Sequence, residues 1–212
     1  MMYDEQRLLE LKKSVSARMS EKRFLHTLGV LETALHLAEF CMPASKFEIA
    51  VSALLHDVTK ELSLEEQKAL IKSSDYRISR EDFLAPETIH ALTAPIAIER
   101  DFPEFMTEKI IDAVKYHTVG SPDMSLFDEI IFLSDFIEPG RKYESCLSLR
   151  KEVYEGLCDE SKEKNILLIH NAVIKAIDFT IANLIKNKRF ISPKTVLTRN
   201  ALLDKINNMV KN

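Results

Sequence analysis

Glycine is scarce in this chain, at 4 of 212 residues against a typical ~7 %. Few of the tight turns that join hairpins are therefore available, and helices are favoured over sheets. Cysteines are fewer still, at 3. Cys41, Cys146 and Cys158 are odd in number, far apart and without a Cys-x-x-Cys pair, which argues against a disulfide framework or a thiolate zinc site and fits free thiols in a reducing cytoplasm. Positive charge is not in excess either: 29 Lys and Arg stand against 33 Asp and Glu, for a net charge of -4. No diffuse basic field exists to bind nucleic acid by counterion release, so any phosphate site must be local. No uninterrupted apolar run approaches the ~18 residues of a membrane helix, and Met1 to Lys13 alternates charge with leucine rather than forming a signal-peptide core. The expectation is a soluble, cytoplasmic protein without a nucleic-acid or membrane partner.

What the chain does have is apolar periodicity, with 46 % hydrophobic and 29 % charged residues. Apolar stripes and caps predict helices over about Asp4–Arg18, Glu21–Phe40 with Ser20 as cap, and Lys46–Lys60 ending in His56-Asp57. A short helix follows over Leu64–Lys72, then a solvated charged stretch over Asp75–Asp82. Pro86 suits the first turn of a helix carrying His90, which Pro95 should kink or end about a turn later. Thr107 caps a helix through His117, stopped by Gly120. Ser125 and Asp128 form a capping-box pair opening Leu126–Ile137, and Pro139-Gly140 closes it. Helices over Leu149–Leu157 and Lys162–Lys186 come next, and Ser192-Pro193 starts the last. No strand pattern, repeat or linker competes, so the reading is an all-α, single-domain helical bundle over residues 1–212, with a core over about 20–140 and a helical extension over about 141–212.

His56-Asp57 closes a helix whose preceding residues are almost all apolar. A carboxylate in that setting is costly unless paired or bound to a cation. Asp135 repeats the argument, as the lone ionisable group between Ile130 and Ile137. Each alone fits a helix-end or surface residue, and His26 and His117 alone fit satisfied core histidines. Taken together, however, His26, His56-Asp57 and Asp135 supply four nitrogen and oxygen ligands on three helices. That mix suits iron, manganese, cobalt, nickel or zinc better than calcium or magnesium. Lys60, one turn after His56, adds an ammonium beside a supposed cation, which makes sense if an anion such as phosphate lies between them; Arg141 is placed to clamp the same group. His90 and His117 are candidates for a second metal or for hydrogen bonds to phosphate and leaving group. His36, His170, Cys146 and Cys158 read as structural.

The order His26, His56-Asp57, His90, His117, Asp135 resembles the HD superfamily of metal-dependent phosphohydrolases, and more narrowly the YqeK family. Carrying the resemblance are Arg23-Phe24-Leu25-His26-Thr27-Leu28-Gly29-Val30, Leu54-Leu55-His56-Asp57 with Lys60, Pro86 with His90, and His117-Thr118-Val119-Gly120 leading to Met124. Most specific is Ser134-Asp135-Phe136-Ile137-Glu138-Pro139-Gly140-Arg141, and Pro193, Thr195 and Arg199-Asn200 extend the likeness toward the C-terminus. The chain departs from the pattern at Thr93-Ala94-Pro95, where a Gly-Ala pair is expected, and at Ser192, where histidine is common. The resemblance implies an HD-type fold and a cytoplasmic bacterial enzyme that uses iron and splits diadenosine tetraphosphate symmetrically into two ADP. Its metal ligands would be His26, His56, Asp57 and Asp135, with Lys60, His90, His117, Thr118 and Arg141 contacting nucleotide phosphates.

In that mechanism the metal acts as a Lewis acid and lowers the pKa of a bound water toward ~7, and the resulting hydroxide attacks phosphorus in line. Asp57 is essential to it, Lys60 and Arg141 neutralise growing charge, and His90 or His117 protonates the leaving oxygen. Competing readings are another HD phosphohydrolase, acting on a nucleoside monophosphate, a deoxynucleoside triphosphate or a guanosine alarmone, and a nucleotide-sensing module without turnover. ADP or GDP is the expected bound product, and a homodimer is compatible with the pattern.

Overall fold

The computed structural model describes residues 2–211, and among these every regular element is helical. The helices are α1 (Met2–Ser16), α2 (Glu21–Cys41), α3 (Lys46–Leu55), α4 (Leu64–Lys72), α5 (Ile89–Asp101), α6 (Glu108–Tyr116), α7 (Leu126–Ile137), α8 (Glu144–Gly156), α9 (Lys162–Lys186) and α10 (Pro193–Lys211). Local hydrogen bonding sets many of these boundaries. Ser20 accepts from the Arg23 amide to open α2, and Thr107 accepts from Ile110 to open α6. The Ser125 hydroxyl and the Asp128 carboxylate each satisfy the other residue's amide at the start of α7.

The centre of the bundle is α3, in which every residue from Ile49 to Leu55 is buried. Its all-round apolar sequence is explained by its neighbours: α2, α6, α1 and α7 all pack against it. Burying each large aliphatic side chain there contributes roughly 1.5 to 3 kcal/mol, enough to hold the polar residues at its end in fixed positions. The longest helix, α9, contains a window of mean hydropathy 1.3, long and apolar enough by composition to cross a membrane. In the fold its apolar residues Ile169, Val173, Ile174 and Ile177 are buried, and the helix packs against α7, α8 and α2.

Several boundaries differ from the sequence expectation. Helix α3 stops at Leu55, so His56 and Asp57 lie just beyond it, in a succession of tight turns where Val58 donates to Leu55 and Lys60 to Asp57. Those turns re-aim the side chains that a continuous helix would have spread around a cylinder. Pro86 opens a separate 3-10 turn, Pro86–Thr88, rather than α5 itself. Pro95 does not end α5, which continues to Asp101. Its missing amide costs one bond in the middle of the helix, and the burial of Ile96, Ala97 and Ile98 beyond it outweighs that loss. Helix α8 begins at Glu144, earlier than the apolar stripe alone indicates, because its first turn is mostly exposed.

Candidate metal and phosphate site

Four separate parts of the chain converge at one end of α3. His26 comes from α2, His56 and Asp57 from the turns after α3, His117 from the C-cap of α6, and Asp135 from the last turn of α7. The ligand atoms of His26, His56 and Asp135 lie within 4.8 Å of one another, and so do those of His56, Asp57 and His117. His56 belongs to both groups, so the five residues form one cluster. Asp57 is its hub, with Oδ2 3.6 Å from His26 Nε2 and 3.5 Å from His56 Nε2, and Oδ1 3.1 Å from His90 Nε2 and 3.6 Å from His117 Nε2.

The histidines are oriented from behind. His56 Nδ1 lies 2.7 Å from the Ala53 carbonyl, and His117 Nδ1 2.6 Å from that of Val114. A carbonyl only accepts, so each Nδ1 carries the proton and each Nε2 keeps its lone pair for the cluster. His26 Nδ1 faces Glu138 Oε1 at 3.2 Å. The Nε2 atoms of His26 and His56 are buried with no hydrogen-bond partner. Buried imidazole nitrogens gathered beside two carboxylates are the donor set a transition-metal cation takes, with the backing hydrogen bonds that fix such ligands.

Charge is concentrated here. Burial raises the Asp57 carboxyl, but the imidazoles of His56, His117 and His90 outweigh it and hold the group well below the ordinary range. Burial acts the same way on Asp135 and is overcome chiefly by the Arg141 guanidinium, whose terminal nitrogen is 2.6 Å from Asp135 Oδ1. Burial lowers His26, yet the neighbouring carboxylates of Asp135, 3.1 Å from Nε2, and Glu138 lift it to about 9. His90 goes the other way: burial pushes it down to about 4 and the pull of Asp57 does not restore it. Lys60 is lowered by burial despite Asp57 and Asp135.

The residues expected around phosphate do not all meet the cluster directly. Lys60 Nζ lies 3.1 Å from His90 Nδ1 and 3.0 Å from the Glu87 carbonyl. Lys60 Nζ is also 3.3 Å from His90 Nε2, so it is the Asp57 carboxylate, an acceptor 3.1 Å from Nε2, that puts the His90 proton on Nε2, which lies 3.1 Å from the bare Nε2 of His117. Thr118 Oγ1 is buried and without a partner. His36 and His170 lie elsewhere. His36 packs on the rings of Phe40 and Tyr154, and His170 Nδ1 meets Glu129 at 2.5 Å.

Two residues enter the site with no role assigned from sequence. Arg23 places a guanidinium nitrogen 2.8 Å from Asp57 Oδ2; its signals are its place in the Arg23–Val30 segment that carries the resemblance and its spacing of three from His26, which puts both on one face of α2. Glu138 is the other. Its carboxylate accepts from the Gly140 amide while facing His26. A Cβ on Gly29 would sit 2.5 Å from its Oε2, so any side chain there would displace the carboxylate from this position.

The profile of the HD domain family matches residues 23–140, a span that begins three residues before His26 and ends five after Asp135. The chain belongs to the HD domain family. HD domains bind divalent metals, and the His/Asp cluster lies within the matched segment. Among similar proteins is the symmetrical bis(5'-nucleosyl)-tetraphosphatase of Bacillus subtilis, 33 % identical over 89 % of this chain and 94 % of that protein. The protein of the same name from Halalkalibacterium halodurans is 31 % identical, over 89 % of this chain and 93 % of its own. The HD chain therefore belongs with these tetraphosphatases. In three dimensions it resembles the crystal structure of a predicted HD superfamily hydrolase involved in NAD metabolism from Clostridium acetobutylicum. That likeness has a TM-score of 0.79 at 28 % identity, covering 92 % of this chain and 96 % of the other.

Proposed function

We propose that this HD domain is a divalent-metal-dependent hydrolase that cleaves diadenosine tetraphosphate symmetrically into two ADP. The observation that carries the reading is the set of back-bonded imidazoles facing Asp57 and Asp135, in a chain similar to tetraphosphatases over nearly its whole length. In this reading His26, His56, Asp57 and Asp135 hold the metal. Their imidazole and carboxylate donors suit iron or manganese, and iron is the metal that the family resemblance implies. When bound, the cation supplies Lewis acidity toward a phosphoryl oxygen and lowers the pKa of water.

The chain's own groups do the rest. Arg23 and Arg141, now paired with Asp57 and Asp135, are freed for phosphate oxygens when those carboxylates turn to a cation. In this reading Lys60 and the buried, unpartnered Thr118 hydroxyl add further donors. Attack of water at the second phosphorus breaks its bond to the central bridging oxygen, so one ADP gains the water oxygen and the other leaves with the bridge. A nucleoside diphosphate is a stable anion, so neutralising charge matters more than delivering a proton. In this reading His90 and His117 pass the proton that the leaving oxygen takes.

The test is anaerobic purification with elemental analysis, followed by product identification from a panel of dinucleoside polyphosphates. Two diphosphates from the tetraphosphate support the reading; ATP with AMP, or turnover of only mononucleotides or alarmones, overturns it. Asp57→Ala is expected to lose both metal and turnover while folding as the metal-free protein does, and an active Asp57→Ala protein would end the proposal.

A further inference from the structure

A groove of about 1010 Å³ runs outward from the cluster between the exposed side of α2 and the loop after α7. Its inner end includes His26 and Arg141, so it is continuous with the metal and phosphate site. Its outer walls change character. Leu25, on α2, is 62 % exposed and Tyr143, just past the loop, is 73 % exposed, and both line the groove. Along α2, the six steps from His26 to Glu32 span roughly 9 Å at ~1.5 Å per residue. That is the length over which a nucleotide passes from its phosphates to its base. The groove thus sets an exposed aromatic ring, two residues past Arg141, and an aliphatic side chain, next to His26 on α2, beside its metal-ligating and cationic end.

We infer that this groove is the nucleoside subsite, with the Tyr143 ring and the Leu25 side chain taking the base of one half of the substrate. The inference rests on the reading of the chain as a nucleotide hydrolase and adds where specificity for a nucleoside over bare polyphosphate resides. A flat, exposed aromatic ring offers stacking to any base, whereas the apolar Leu25 favours a broad uncharged surface. Tyr143 is well placed for this because its backbone is already fixed as the N-cap of α8, its carbonyl accepting from the amides of Cys146 and Leu147 at 3.0 Å. Little backbone order remains to be lost when a base docks.

The test compares ADP with inorganic pyrophosphate, each titrated into manganese-loaded wild type, Tyr143→Ala, Tyr143→Phe and Leu25→Glu. Tyr143→Ala is expected to weaken ADP about 10-fold, as loss of one base–aromatic stack does, with pyrophosphate affinity unchanged. Tyr143→Phe should retain ADP affinity, and Leu25→Glu should weaken ADP more than pyrophosphate. Equal loss for both ligands, or no loss for either, overturns the subsite. The two readings fail separately. If the wild type cleaves diadenosine tetraphosphate and Tyr143→Ala keeps its KM, the subsite falls and the function stands. If no dinucleotide is cleaved but ADP binding still depends on Tyr143, the subsite stands and the function falls.

Discussion

Metal affinity should depend on a carboxylate that the proposed ligand set does not include. Glu138 faces His26 Nδ1 and is held there by the Gly140 amide, the arrangement by which an outer carboxylate fixes the tautomer and angle of a ligating imidazole. Glu138→Ala is expected to lower metal affinity ~10- to 100-fold, read by competition with a chelator. Gly29→Ala should have a similar effect by a different route, since its methyl would meet Glu138 Oε2 at 2.5 Å and push the carboxylate aside. In the double variant that methyl has room, so the two effects should not add; simple additivity would show that Gly29 and Glu138 act independently. The residues are visible in the sequence. Their relation is not, because His26 and Glu138 are 112 positions apart and a Glu before a proline gives no sign of which imidazole it will meet.

At the scale of the elements, the loop after α7 carries both Glu138 and Arg141 and is held by α8. Arg150 donates to the carbonyls of Ile137, Glu138 and Arg141, closing acceptors that the end of a helix leaves open. Arg150→Ala is expected to destabilise the fold by about 1.5 to 3 kcal/mol, the usual worth of a charged hydrogen bond, in chemical denaturation. An unchanged midpoint would mean that water replaces the guanidinium at no cost. Elsewhere α5 is tied to the chain after α1. Hydrogen bonds from Arg100 and then Arg18 hold the Asp101 carboxyl down to about 2 from an ordinary 3.8. A depressed carboxyl contributes stability that is complete above its unfolded value and is lost as pH falls through the folded one. Asp101→Asn should therefore flatten the loss of stability between about pH 4 and pH 2. The effect should stay within the ~0 to 1 kcal/mol of a partly exposed ion pair, and an unaltered acid limb would assign that loss to other carboxylates. The caps at Ser20, Thr107 and Ser125 were legible because each is a bond over three residues. The early stop of α3 was not, since the apolar stripe runs on through Val58 and only the packing of α2, α6 and α7 around it decides where the chain turns.

For the whole molecule, a cluster assembled from α2, the turns after α3, α6 and α7 makes metal binding and folding one equilibrium. An ion that binds only the folded chain adds about 2.7 kcal/mol at one hundred times its Kd. Removing metal with a chelator is thus expected to lower the Tm, and restoring manganese or iron to recover it. Asp57→Ala should show no metal-dependent shift. A wild-type Tm indifferent to metal would count against ligands drawn from separate helices.

The sequence by itself determined the class of the molecule: sparse glycine, apolar stripes of helical period and short-range caps leave room for little but a bundle of helices. It also determined which side chains had the chemistry to matter, because isolated His and Asp among apolar neighbours are costly without a partner. Only the tertiary structure decided which of them meet. The turns that follow Leu55 aim His56 and Asp57 together, Pro95 is carried within α5 by the burial beyond it, and Arg23 and Glu138 reach the cluster across long stretches of chain. The reason is one of range, since hydrogen bonds over three or four residues are written into local order. A contact over a hundred residues exists only where several helices have already closed around a common core.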